Sequence, residues 1–250
     1  MNNSQLCQTL VKAVEEADSS KTLLEAVQNL ADASLEESVP TLIAALGYNN
    51  PGAAVAAVDG LVKIGKPAVT PLLELIDNYN YGARAWAVRA LAGIGDPRGL
   101  ETLLDAAKND FALSVRRAAA RGLGIIKWQE LPLEEAKIAQ QRAYEVLTVV
   151  CQDPEWVVRY AGVVGLERLA IAIFKVQGEL VVKITSDLEK VMAEDEEVSL
   201  RTRAELALQT LRIESNQLNQ NASRLRLNSQ QSTKQEKEED YAQRGEGRRN

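Results

Sequence analysis

Apolar residues recur every three or four positions along most of this chain, in stretches of helical length separated by turn residues. Leu6, Leu10, Val14, Leu23, Leu24, Val27 and Leu30 share one face and predict one or two amphipathic helices within residues 4–33. Beyond them the same period comes in pairs: 38–46 with 52–64, 68–77 with 82–94, 98–108 with 113–126, 135–151 with 155–172, and 179–193 with 196–212. The turn inside the first pair reads GYNNPG, and Pro51 is suited to open the next helix, where its missing N–H would be an orphan anyway. The second pair ends in IGDP, a helix breaker. An insertion, KWQELPLEEAKIAQ at 127–140, separates the third pair from the fourth.

The second helix of each pair carries one frame. An acidic or amide residue stands six positions before an Arg, and a run of small residues leads from that Arg to a Leu. The instances are Asn78/Arg84/Leu91, Asp110/Arg116/Leu123, Asp153/Arg159/Leu166 and Asp195/Arg201/Leu208, with Tyr48, Ala54 and Leu61 in a degenerate first copy. The arginines are 32, 43 and 42 residues apart, the insertion accounting for the jump. Periods of this size belong to stacked helical hairpins. The expected fold is all-α: a right-handed α-solenoid of about five HEAT- or armadillo-like hairpins over residues 1–212. Four positions before the anchoring Leu stand Ala57, Ala87, Ala119, Gly162 and Ala204; one position before it stand Gly60, Ala90, Gly122, Gly165 and Ala207. Such a strip lets neighbouring helices approach closely, and a bulky residue there would overpack. From 213 to 250 the pattern stops. This segment is rich in Gln, Asn, Ser and charge, has almost nothing to bury, and predicts a disordered polar tail whose first part can extend the last helix.

Composition narrows what such a surface can do. The net charge of −6 argues against a nucleic-acid groove, which needs clustered cations to neutralise phosphates. There is no histidine, which removes the commonest general base near neutral pH, the Ser-His-Asp and Cys-His constellations, and most zinc sites. The two cysteines, Cys7 and Cys151, form no disulfide framework and fit a reducing compartment. Cys151 closes the apolar run VLTVVC and reads as a small core residue, whereas Cys7 is close enough to the terminus to be exposed. The opening MNNSQLCQTL lacks a basic segment followed by an apolar run, so no signal peptide is expected. The longest apolar stretches, such as LAIAIF at 169–174, are far too short to span a bilayer, and a cytoplasmic protein without membrane insertion is expected. No phosphate loop, dinucleotide fingerprint or metal-ligand spacing is present, so neither a metal nor a permanently bound cofactor is expected. These residues describe a binding solenoid.

Two groups of side chains are candidates for the binding surface. The frame arginines Arg84, Arg116, Arg159 and Arg201 have a structural reading, in which each pairs with the Asp or Asn of its own or an adjacent repeat, the carboxylate also capping the second helix. Their functional reading is an anion-binding ladder on the concave face, which suits best the arginines outside the frame: Arg89, Arg98, Arg117 and Arg121. The second group is Asn78-Tyr79-Asn80-Tyr81-Gly82-Ala83-Arg84-Ala85-Trp86. Three aromatic residues in eight positions stand out in a chain only 4% aromatic, and read either as a recognition patch or as inter-repeat core. Trp128, in the insertion, is expected at an interface. Trp156, with Tyr160, is expected in packing.

The stretches LGYNNPGAAVAAVDGL, DNYNYGARAWAVRALAGIGDPR, DFALSVRRAAARGLG and QDPEWVVRYAGVVGL resemble the heterodimeric E/F-type bilin lyases of cyanobacteria and red algae, and within them the smaller, F-type subunits. The resemblance covers about residues 20–170, and YNYGARAWAVRALAGIGDPR is specific to that family, whereas HEAT proteins in general share only the VR…A…L frame. It implies a chain that works with a larger homologous HEAT-repeat subunit, binds the open-chain tetrapyrrole phycocyanobilin, and hands it to one cysteine of the apo-phycocyanin α-subunit through a thioether bond. The implied working surface is Tyr79, Tyr81, Arg84, Trp86, Arg89 and Arg98, with Arg116 and Arg117 beside them. Arginine suits the two propionates of a bilin, and aromatic faces suit its π-system. The nucleophilic thiol comes from the acceptor protein, so no triad is expected on this chain and no catalytic residue is assigned. The related lyase-isomerases use a motif containing His and Cys; a chain without histidine is not expected to isomerise its bilin. A non-enzymatic HEAT adaptor that binds phycobiliproteins, for example in phycobilisome disassembly, shares the fold and is the competing expectation.

Overall fold

A computed structural model describes residues 2–77, 81–217 and 220. Two parts are separated at Ala207/Leu208. The first contains α1 (Asn3–Glu15), α2 (Ser20–Ala33), α3 (Val39–Ala45), α4 (Pro51–Ile64), α5 (Lys66–Asp77), α6 (Tyr81–Ile94), α7 (Leu100–Asn109), α8 (Leu113–Leu123), α9 (Leu133–Val150), α10 (Trp156–Ile173) and α11 (Gly178–Glu194). A further helix, α12, begins at 198. In the second part, residues 208–217 and 220 are helical, which includes the start of the segment expected as a tail; 218, 219 and 221–250 lie outside the described residues. The described residues contain helices, turns and no strand.

Local signals set the helix ends. Asn2 and Ser19 each form a capping box, with Gln5 and Thr22 respectively. Pro51 stands at the start of α4, where Asn50 accepts a hydrogen bond from the Ala53 N–H at 3.1 Å. The helices pack as hairpins. The second members form a row in which α2 packs on α4, α4 on α6, α6 on α8 and α8 on α10. The N-terminal amphipathic stretch is therefore a hairpin of its own at the head of the row, preceding the five that the frame predicts. The anchoring leucines Leu61, Leu91, Leu123 and Leu166 are at most 1% exposed.

The small-residue strip does what its composition predicts. A Cβ added to Gly60 would lie 2.7 Å from Ala31 Cβ, and one added to Gly122 would lie 2.6 Å from Ala92 Cβ. At Gly165 it would meet Leu147 Cδ2 at 2.5 Å and the Ala120 carbonyl oxygen at 2.6 Å. Consecutive second helices thus touch nearly backbone to backbone, closer than larger side chains permit.

The frame Asp and Arg fasten consecutive turns. Arg116 donates through Nε to Asp153 Oδ2 at 2.7 Å and through Nη2 to Asp153 Oδ1 at 3.2 Å. Its Nη1 donates to the carbonyls of Asp110 at 2.9 Å and Phe111 at 3.1 Å, in its own turn. Arg159 repeats the arrangement with Asp195 at 3.0 and 3.1 Å and with the carbonyls of Asp153 and Pro154. Arg84 pairs with Asp110, which is fully buried. Arg201 donates to the backbone carbonyls of Asp195 and Glu196. Arg84, Arg116 and Arg159 therefore each reach forward to the next repeat's Asp. The carboxylate does not cap the helix as expected. It accepts the N–H two residues on, from Ala112, Glu155 or Glu197, and so folds the turn ahead of the helix. In the degenerate first repeat Asn50 takes over the bridging and donates to the Ser20 carbonyl at 2.8 Å.

The insertion is mostly helix, since α9 occupies its second half. Its first half docks on the IGDP breaker: the Lys127 N–H donates to the Gly95 carbonyl at 2.8 Å. Gly95 holds φ +66°, and a Cβ there would lie 2.5 Å from the Ile125 carbonyl oxygen, so glycine is required twice over. The neighbouring Trp128 is buried, 5% exposed, so the expected interface role of Trp128 is wrong. Trp156 reverses too: it is 42% exposed at the first position of α10 and is not core. Cys7, close enough to the terminus to be exposed, is in fact buried, at 5% exposure.

Candidate functional site

Successive second helices leave a cleft of about 330 Å³ across α6, α8 and α10. Its floor is made of Ala92, Gly93, Ala118 and Gly122. Four arginines line it: Arg89 from α6, Arg117 and Arg121 from α8, and Arg168 from α10. Arg117 and Arg121 are four residues apart and lie one above the other on the helix. No acidic residue lines the cleft. Among the described residues, none of the four arginines makes an ion pair, and Arg117 Nε is buried without a hydrogen-bond partner.

Electrostatics mark this cluster as unsatisfied. Partial desolvation in the cleft pulls Arg121 below the usual guanidinium range; Arg117, Arg168 and Arg89 push the same way, against an opposing contribution from Tyr160. Arg89 lies over the Trp86 ring, 5.6 Å from its centroid, so a half-buried indole borders the cationic cleft. A concave, water-accessible pocket with converging cations and an aromatic neighbour has the chemistry to take an anion that carries apolar surface.

The sequence of this cleft-bearing row is matched by known proteins. The profile of HEAT repeats matches residues 7–81 and 69–167. A protein of Pseudanabaena tenuis called phycocyanobilin lyase subunit beta is 58% identical over 210 residues, covering 84% of this chain and 74% of its own. The chain belongs to this HEAT-repeat lyase family. A Synechocystis relative called phycocyanin alpha phycocyanobilin lyase CpcF is 60% identical over 161 residues, 64% of this chain and 75% of its own. Among solved structures, the complex of CpcE and CpcF of phycocyanin lyase from Nostoc contains a chain 48% identical, matched with a TM-score of 0.63 over 68% of this chain and 98% of that one.

Within this family member the structure separates the expected surface residues. Arg89 and Arg117 come together at the cleft, with Trp86 alongside. Arg84 and Arg116 are committed to the carboxylates of Asp110 and Asp153. Arg98 is elsewhere: it donates to Asp96 at 2.9 Å and to the Lys66 carbonyl at 3.0 Å, and its hydrogen bonds hold the Asp96 carboxyl below its ordinary range. Tyr79 lies outside the described residues, as do Asn78 and Asn80; Tyr81 is the first residue of α6. Arg121, already singled out with the arginines outside the frame, belongs to the cleft. Arg168 was missed. Its signal was present, since it is an arginine on a second helix, away from the frame position.

Neither thiol is suited to hold a ligand covalently. Burial, helped by Asp187 and Asp195, pushes Cys151 up to about 12. Burial, and then Glu37, raises Cys7. Among the described residues no group of three or more His, Cys, Asp or Glu could hold a metal ion, and no helix is long and apolar enough to cross a membrane.

Proposed function

We propose that this chain is the smaller subunit of a cytoplasmic heterodimeric bilin lyase. With a larger homologous HEAT-repeat subunit it binds phycocyanobilin and attaches it by a thioether bond to a cysteine of the apo-phycocyanin α-subunit, a step in phycobilisome chromophore assembly. Phycocyanobilin is its substrate and not a resident group. The observation that carries this reading is the match along nearly the whole length of a chain in the solved complex of CpcE and CpcF.

The chemistry asks little of this chain beyond grip. The acceptor protein brings the thiol, which adds to the ethylidene carbon of ring A. Holding thiol and carbon in reach turns a bimolecular step into an effectively unimolecular one, an effect that can supply about 7–11 kcal/mol of the barrier. The bilin-facing part of this subunit is the α6–α8 face around Trp86, Arg89 and Arg117, where an aromatic face and unpaired cations stand together.

Co-expression tests the reading. This chain, its homologous partner, apo-phycocyanin α and phycocyanobilin are combined, and covalent fluorescence is recorded on the denatured α-subunit. Fluorescence that requires both HEAT chains is the expected result. Binding of phycobiliprotein by this chain alone, without chromophore attachment, would establish an adaptor and overturn the lyase reading.

A further inference from the structure

We infer that the four-arginine cleft seats the two propionate carboxylates of the bilin, and that Arg121 and Arg168 act there with Arg89 and Arg117. This rests on the lyase reading above and narrows it to named contacts.

Pairing with a carboxylate is common for arginine elsewhere among the described residues. Arg84, Arg98, Arg116, Arg142, Arg159 and Arg203 each hold a carboxylate. Four arginines without an acid converge on one cleft, in a chain whose net charge is −6. Acidic side chains are plentiful, and none lines this place. Like charges held together cost free energy until an anion arrives, so the arrangement is poised for a ligand of more than one negative charge. A monocarboxylate would leave most of the cluster uncompensated. Two carboxylates allow two guanidinium groups each, in the forked geometry that arginine favours.

The layout also fits a flat, extended molecule. Arg117 and Arg121 form a central pair on α8, flanked by Arg89 on α6 and Arg168 on α10. Neighbouring helix axes are about 8–10 Å apart, so the cations form a row across three helices. The small residues of the floor keep it low enough for a planar system to lie against. Gly124 brings in the last member of the row: a Cβ there would lie 2.9 Å from Arg168 Cβ and 2.7 Å from the Gly165 carbonyl oxygen. The end of α8 thus lies directly on α10, which carries Arg168 to the cleft edge.

The test uses the full chain co-purified with its partner subunit. Binding of phycocyanobilin and of its propionate dimethyl ester is measured for the wild type, Arg121→Gln, Arg168→Gln and the double variant, with helix content checked by circular dichroism. Arg121 and Arg168 are exposed, so folding should survive. Each substitution should weaken the free acid about tenfold, in line with the loss of one charge-assisted hydrogen-bonded contact. The ester should bind weakly to the wild type and lose nothing further in the variants. Undiminished binding of the free acid by the double variant overturns the inference, as does an equal loss for acid and ester. Normal binding of both ligands with lost transfer to apo-phycocyanin α also overturns it, and assigns the cleft to an acidic protein surface. No binding of phycocyanobilin by the wild-type complex overturns the lyase reading, and this inference with it.

Discussion

Asp153→Ala should be among the most damaging single changes remote from the cleft. The carboxylate accepts both Nε and Nη2 of Arg116 and the Glu155 N–H at 2.9 Å. The pair is 13% and 11% exposed, so water replaces little of what is lost. Arg116 would keep two backbone carbonyls and no counter-charge. Removing one partner of a buried pair costs about 3–5 kcal/mol, and the residual exposure puts this case near the lower end. A chain of this size shifts by roughly 2–4 °C per kcal/mol, so the midpoint of thermal unfolding, followed by circular dichroism, should fall by about 6–12 °C. Arg116→Met with Asp153→Leu removes both charges at once. It should cost less than Asp153→Ala alone, because no uncompensated cation is left behind. If Asp153→Ala melts within about 2 °C of the wild type, or if the double variant is the less stable, the ladder is not holding consecutive repeats together.

Other positions make separate tests. Gly122→Val has to part α6 from α8 and should cost about 1–3 kcal/mol in chemical denaturation, whereas Gly178→Ala, which meets nothing within 4 Å, should not destabilise. Trp128→Ala should cost about 3–5 kcal/mol. Trp128→Phe should cost under about 1.5 kcal/mol, because the indole N–H it removes is buried without a partner. Trp156→Ala, at a site 42% exposed, should cost less than Trp128→Ala by a wide margin. With its thiol pushed up to about 12, Cys151 should resist iodoacetamide at pH 8 in the folded protein and react on unfolding; rapid labelling of the native chain would contradict its burial. Trp86→Ala combined with Arg89→Ala should reduce bilin transfer while leaving helix content intact, since the two side chains touch at the cleft border.

The helical pairs, the Asp–Arg frame and the small-residue strip were legible because each is a periodic property of a single helix. What depended on contacts between distant segments was not. Trp128 is buried next to a segment whose Lys127 N–H docks on the Gly95 loop, some thirty residues earlier; nothing within the insertion reports that. Trp156 is exposed because it occupies the first turn of α10, where the chain is just entering the stack.

The arginines show the same division within a few residues. Arg116 and Arg117 are neighbours in sequence, yet one is bound to the ladder and the other opens on the cleft. An α-helix turns about 100° per residue, so adjacent side chains face different partners. Arg117 follows the frame arginine by one position, while Arg121 and Arg89 each follow theirs by five. Those offsets rotate them about 100° and 140° from the ladder edge, onto one shared face. The frame thus separates ladder arginines from cleft-lining ones once its geometry is taken into account. Arg168, nine positions after Arg159, stands at about 180°, a further step of about 40° round from Arg121 and Arg89. What the period of one helix does not contain is how near the repeats stand, and the close contact of Gly124 with the backbone of α10 sets that distance.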